Sequence, residues 1–273
     1  MKSLFTLVAA VLLLACNNTI KLAVPTAFKE QATPHHVAGS KKNKMSVANF
    51  TSSKIKRGMH MSYPGWGRGF LLENLLLSQV GLQKNERIKK EKANFRFSLT
   101  DGKMSAEVFG KEREMTRSIE YKLTKGGGLL NGFEQTQEYH YIFSALIQTG
   151  AQAGNKTWEL LMTNIYERDK DPDPKILTVL KPDDNGLLTN GTDSFFIKAV
   201  TLQETENAKG KIGRMPFKML GGYEVRTSDG VAAIIDIIGS NVWYYNELEG
   251  QDRLLISAIA SALFARRVND VTW

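Results

Sequence analysis

Residues 252–267 read DRLLISAIASALFARR, and this stretch decides the fold. Leu254, Leu255, Ile256, Ala258, Ile259, Ala260, Ala262, Leu263, Phe264 and Ala265 leave a helix over 252–267 almost no polar face. A helix apolar all round is buried all round. At about 1.5 Å per residue it is roughly 22 Å long, short of the ~30 Å hydrocarbon core of a bilayer, so protein must surround it. Ser257 and Ser261, four residues apart, can return their hydroxyls to carbonyls one turn earlier, which makes their burial tolerable. Arg266 and Arg267 complement the carbonyl end of the helix where it emerges.

Upstream of the helix the chain alternates apolar with polar residues. Residues 95–99 (FRFSL) and 104–109 flank Thr100-Asp101-Gly102-Lys103, a tight-turn signal, and predict a hairpin. The pattern continues at 119–123, 139–147 (YHYIFSALI), 158–166 (WELLMTNIY), 176–180, 195–202 (FFIKAVTL), 217–225, 231–238 and 242–245. Turn clusters at 182–186, 190–193 and 228–230 separate these runs, giving about ten strands. A second helix is expected over 69–80 (GFLLENLLLSQV), with Leu71, Leu72, Leu75, Leu76 and Val80 on one broad face, covering an end or edge of the sheet. The economical arrangement is a mainly β fold, an antiparallel β-barrel-like domain enclosing the C-terminal hydrophobic helix. The alternative is an open β-sheet or sandwich with the helix packed on one face.

Residues 230–265, GVAAIIDIIGSNVWYYNELEGQDRLLISAIASALFA, place a strand, a turn and a strand before an apolar helix opened by an acidic residue. This order resembles the C-terminal part of the tubby-like superfamily, which includes the LURP-one-related proteins and the phospholipid scramblases. The resemblance covers about 35 residues and implies a roughly twelve-stranded barrel around a central helix. It is a pattern of hydrophobicity and order. It carries no binding residue onto this chain, and fold does not fix function.

At the other end, Lys2 precedes an apolar run from Leu4 to Leu14, followed by Leu13-Leu14-Ala15-Cys16. The run has the length of a signal-peptide core and is too short to span a membrane. This N-terminus resembles the lipobox of bacterial lipoproteins, although Leu14 is bulkier than the residue often found there. The resemblance implies cleavage before Cys16 and a lipid anchor on its thiol. Cys16 is the only cysteine, so no intramolecular disulfide or cysteine-based metal site is available. From Asn17 onward Pro25, Pro34, His35-His36, Gly39-Ser40 and a lysine cluster show no sustained apolar period, as in a tether. The expected parts are a signal peptide over 1–15, a lipidated tether over 16–45 and a single β-rich domain over 46–273. The product is expected in a bacterial cell envelope, on the outer membrane if the cell is Gram-negative.

The formal charge of +8 is concentrated near that tether, at Lys41, Lys42, Lys44, Lys54, Lys56 and Arg57. Elsewhere charges alternate, as in 84–92 (KNERIKKEK), which reads as a solvated surface. No nucleic-acid partner is expected, and binding of the domain to anionic vesicles is expected to be weak and lost by physiological salt.

Residue types that carry chemistry are sparse. Beyond the tether only His60 and His140 are available, too few for a histidine-based triad or a three-ligand zinc site to be readily built. The pair His35-His36 lacks further ligands. Gly126-Gly127-Gly128 lacks a P-loop's lysine and hydroxyl, and 169–173 (DKDPD) lacks a calcium loop's glycine and distal glutamate. No metal or cofactor is expected. The best ligand candidate is the stretch 61–69 (MSYPGWGRG), read as a loop in which Tyr63 and Trp66 offer flat faces and Arg68 a fork for carboxylate or phosphate. The other reading of that loop is a turn that docks Trp66 into the core. Two function classes follow. One is a non-catalytic envelope lipoprotein, a binding or scaffold module for lipid, glycan or an envelope protein. The other is a carboxylate-dependent hydrolase whose acids, among them Glu134, Glu138 and Asp236, meet in a cleft.

Overall fold

A computed structural model describes residues 22, 24–69, 82–123, 132–171, 184–206 and 212–266. Among these, fourteen strands form one antiparallel sheet. In chain order they are β1 (Ala32–His36), β2 (Ser46–Val47), β3 (Phe50–Ser52), β4 (Lys56–Arg57), β5 (Met61–Gly69), β6 (Leu82–Thr100) and β7 (Met104–Leu123). There follow β8 (Gly132–Ala151), β9 (Thr157–Glu167), β10 (Asn185–Thr189), β11 (Ser194–Glu206), β12 (Ile212–Thr227), β13 (Gly230–Asp236) and β14 (Asn241–Tyr245). A short helix α1 (Thr26–Lys29) precedes β1, and α2 (Gly250–Ala265) follows β14. The strands run β1-β14-β13-β12-β11-β10-β9-β8-β7-β6-β3-β2, with β4 and β5 also paired to β6. A bridge between Ala38 and Ser46 brings the two ends of this order together, so the barrel is nearly closed.

The helix runs through the barrel. Every residue from 254 to 263 is buried, on all sides of the helix, which excludes a helix lying on one face of an open sheet. Its surroundings come from inward-facing alternate residues: Phe95, Phe97 and Leu99 on β6, Tyr141, Phe143 and Ile147 on β8, Leu160 and Met162 on β9, Tyr223 and Val225 on β12. Gly110 on β7 is required by this packing, because a Cβ there would lie 2.3 Å from the Phe95 ring. Ser257 behaves as the sequence predicts, donating to the Arg253 carbonyl at 2.6 Å and meeting the Tyr244 hydroxyl at 2.8 Å. Ser261 does not; its buried hydroxyl has no partner among the described residues. Arg266 is buried rather than emerging, and it meets the Leu263 carbonyl at 3.3 Å. Arg57 caps the Ala265 carbonyl, and Arg267 lies outside the described residues.

Several sequence expectations change. The tether over 16–45 is too long: β1 pairs with β14, Val37 and Met45 enter the main core, and Leu22 and Val24 pack against Leu202 and Ile234 in a second cluster. The segment lacks an apolar period because it buries only single residues: β1 pairs along its whole length with β14, yet of its side chains only Ala32 is buried. The loop expected over 61–69 is the strand β5, paired with β6 from Met61 to Gly69. The helix expected over 69–80 and the strand over 176–180 lie outside the described residues, except that Gly69 ends β5. Strands expected separately at 104–109 and 119–123 are one strand, β7. β6 likewise extends back to Leu82, because past the end of α2 neither face of the sheet has a core to bury, and the apolar alternation disappears. The short strand β10 also goes unsignalled in the sequence.

Candidate functional site

The end of the barrel at the carboxyl terminus of α2 is polar. Arg266 sits at its centre, 8% exposed. One guanidinium nitrogen donates to the Tyr223 hydroxyl at 2.6 Å and another lies 3.4 Å from both Asp184 and the Tyr141 hydroxyl. Tyr223 donates to Asp184 at 2.5 Å, Asn164 donates to the other Asp184 oxygen at 2.9 Å, and Tyr141 donates to Glu112 at 3.2 Å. The guanidinium also lies over the rings of Tyr141, Phe143 and Tyr223 at 5.8, 5.7 and 5.2 Å. Burial alone would lower the Arg266 pKa, but the facing Tyr141, Tyr223 and Asp184 carry it well above its ordinary value. Burial pushes both tyrosines up, so they remain neutral donors. These groups close the lumen and leave each other few free lone pairs, which suits a plug better than a ligand site.

Beyond the plug, Glu91 on β6 stands directly opposite Glu114 on β7. Burial pushes the Glu114 carboxyl up, and the Glu91 charge adds to this; Tyr139 donates to Glu114 at 3.2 Å. Burial acts on Glu91 in the same direction, but the hydrogen bond and charge of Lys89, helped by His60 at 3.2 Å, hold it below the ordinary carboxylate range. Two opposed carboxyls with divergent affinities for a proton are the arrangement that acid–base chemistry uses. Neither was singled out in the sequence, because their approach depends on strand register.

On the outer surface, a groove of about 570 Å³ is lined by Lys56, Arg57, Gly58, Asn94, Phe95, Arg96, Phe109, Gly110 and Lys111. Lys56 pairs in register with Arg96, and Arg96 with Phe109. Arg57 is engaged with the helix end and with Asn43 at 3.4 Å. Among the described residues no carboxylate makes an ion pair with Lys56, Arg96 or Lys111. The groove therefore presents three cations beside Phe109, which is 40% exposed. That combination suits a ligand with an anionic and an apolar part.

The residues singled out in the sequence do not assemble into one site. Tyr63 is exposed on β5 and donates to the Met61 sulfur at 3.0 Å; the side chains of Trp66 and Arg68 lie outside the described residues. Cys16 lies outside them too. A bulge between Arg117 and Ser118 sends Glu138 toward Arg117 at 2.7 Å and Glu134 toward Ser118, onto opposite faces of the sheet. Asp236 is five strands away and accepts from the Gly239 amide at 2.8 Å, closing the turn before β14. His140 lies in mid-strand on β8. Among the described residues no group of three or more His, Cys, Asp or Glu could hold a metal ion, and no helix is long and apolar enough to cross a membrane. Comparison with protein families, with characterised proteins and with solved structures finds no match to this chain.

Proposed function

We propose that the chain is an exported cell-envelope lipoprotein, anchored to a membrane through Cys16, whose barrel is a non-catalytic binding module. The observation that carries this reading is the cationic groove beside Phe109, set on a barrel whose lumen is filled by its own helix. A filled lumen leaves recognition to the outer surface. The groove's chemistry favours an anionic lipid or glycan over a neutral ligand. Lys111→Glu combined with Arg96→Glu is expected to reduce retention on phosphatidylglycerol and sulfated-glycan surfaces by at least tenfold, and unchanged retention defeats the groove assignment. For the anchor, Cys16→Ser is expected to abolish lipid labelling and release the chain from the membrane fraction. Persistence of the mutant on membranes after mild washing would place the attachment elsewhere.

One observation favours the hydrolase reading, namely the opposed pair Glu91 and Glu114 beside His60. Under that reading Glu114 is the acid and Glu91 the ionised partner. A screen on glycosides and esters, in which Glu114→Gln removes an activity without changing the melting temperature at neutral pH by more than a few degrees, would establish it.

A further inference from the structure

The outer wall over β8 to β11 carries an apolar surface that nothing among the described residues covers. Across the strands Lys111, Ser144, Leu161, Leu187, Phe196 and Arg226 stand in register. Phe109 faces Leu146 on the next outward row to one side, and Arg113 faces Ile142 on the other. Leu161 is 51% exposed, Phe196 55% and Ile165 57%. Single exposed apolar side chains are ordinary; a contiguous group of them marks a contact surface. Its rim is cationic. Arg96, Lys111 and Arg113 stand at one side and Lys198 at the other, while Arg226 is paired with Glu224 at 2.9 Å. Of the acids on this face, Glu138 is held by Arg117 and Glu167 by Lys170, leaving Glu159 next to Leu146 and Glu107 next to Phe109 as the exposed counter-charges.

A second observation says what covers it. Leu22 and Val24 pack on the outside of the barrel with Leu202 and Ile234, against Val200. Phe196, Lys198 and Val200 are alternate residues of β11, so the apolar wall and the seat of the N-terminal segment are continuous along one strand, roughly 13 Å apart. Only five residues separate Cys16 from Leu22, a reach of at most about 22 Å over six steps of the chain. An acylated Cys16 thus holds this side of the barrel close to the bilayer.

We infer that in the anchored protein the β8–β11 wall lies on an anionic bilayer surface. Leu161, Ile165, Leu187 and Phe196 enter the boundary between headgroups and acyl chains, and Lys111, Arg113 and Lys198 face the phosphates. The inference rests on the proposed anchor at Cys16.

The anchor itself supplies the means of testing. Acylation consumes the only native thiol, so Leu161→Cys or Phe196→Cys in the full lipidated chain gives one site for an environment-sensitive dye. In vesicles of phosphatidylglycerol and phosphatidylcholine, dye at both positions is expected to shift to the blue and to be quenched by a nitroxide carried on lipid. Dye at Thr51→Cys, on β3 across the barrel, is expected to stay water-exposed. Adding Lys111→Gln and Lys198→Gln should weaken the wall's partitioning about fivefold for each cation removed. Water-exposed dye at both wall positions in a chain that still sediments with vesicles overturns the docking and leaves the anchor standing. A chain without an acyl group overturns both. Dye buried in detergent solution in proportion to protein concentration assigns the wall to a second copy and overturns the bilayer contact.

Discussion

Arg266 shows what a single buried charge costs and contributes. Its partners Asp184, Tyr141 and Tyr223 come from three separate strands or their approaches, so removing it strands Asp184 at 1% exposure. Arg266→Met is expected to destabilise by about 3–5 kcal/mol in denaturant unfolding, and Arg266→Met with Asp184→Leu to recover much of that, because a well-packed apolar replacement carries no desolvation cost. Two serines on one helix differ for the same reason. Ser257→Ala is expected to cost about 1 kcal/mol, since it breaks two buried hydrogen bonds, whereas Ser261→Ala is expected to be neutral or stabilising. Glu114 gives a pH test. Its folded pKa is raised, so its favourable contribution is complete below the ordinary carboxylate value near 4.3 and is lost as pH rises through the folded value. The difference in melting temperature between Glu114→Gln and wild type should therefore grow in the mutant's favour across that window and be flat below it. Apart from the Ser257 bond to the carbonyl one turn earlier, none of these partnerships was legible in the sequence, where Arg266 reads simply as a helix-end cation.

The central helix is the element that the sequence predicts best, because its signal is composition all round the axis and needs no knowledge of neighbours. Ile256, Ile259 and Leu263, each at most 4% exposed, are expected to cost about 2–5 kcal/mol when cut to alanine. Ala260→Leu and Ala262→Leu should cost about 1–3 kcal/mol for want of space. A lysine scan from 254 to 263 read by thermal melting should find no tolerant stripe. Strands read best where they line this helix, as in 139–147 and 158–166, whose inward positions are almost all apolar. Where β6 and β7 run past it, 82–92 and 113–118 are charged on both faces and lose the period of two, and only 119–123 (IEYKL) keeps it. The stretch 61–69 reads as a loop from its glycines and proline, yet its main chain pairs along β6, as edge strands with proline can.

At the scale of the whole molecule the nearly closed barrel follows from one argument, that an apolar helix must be surrounded, and the structure agrees. The N-terminal boundary was not legible, because a segment that seats single residues such as Leu22, Val37 and Met45 has no pattern to detect. The wall over β8 to β11 escaped for a related reason. Its apolar residues are scattered over four strands, and only their register gathers them. Stability should also be indivisible. A chain stopped at Glu249 is expected to show no cooperative melt, and addition of a peptide covering 250–273 should restore one.

The helix that the described strands surround comes after all of those strands along the chain. A polypeptide made from its N-terminus therefore presents each strand before the object it must wrap, and no early portion can settle into a finished shell. Such a protein stays pliable for as long as its synthesis lasts, then matures in one late step. The order of the segments works as a timer.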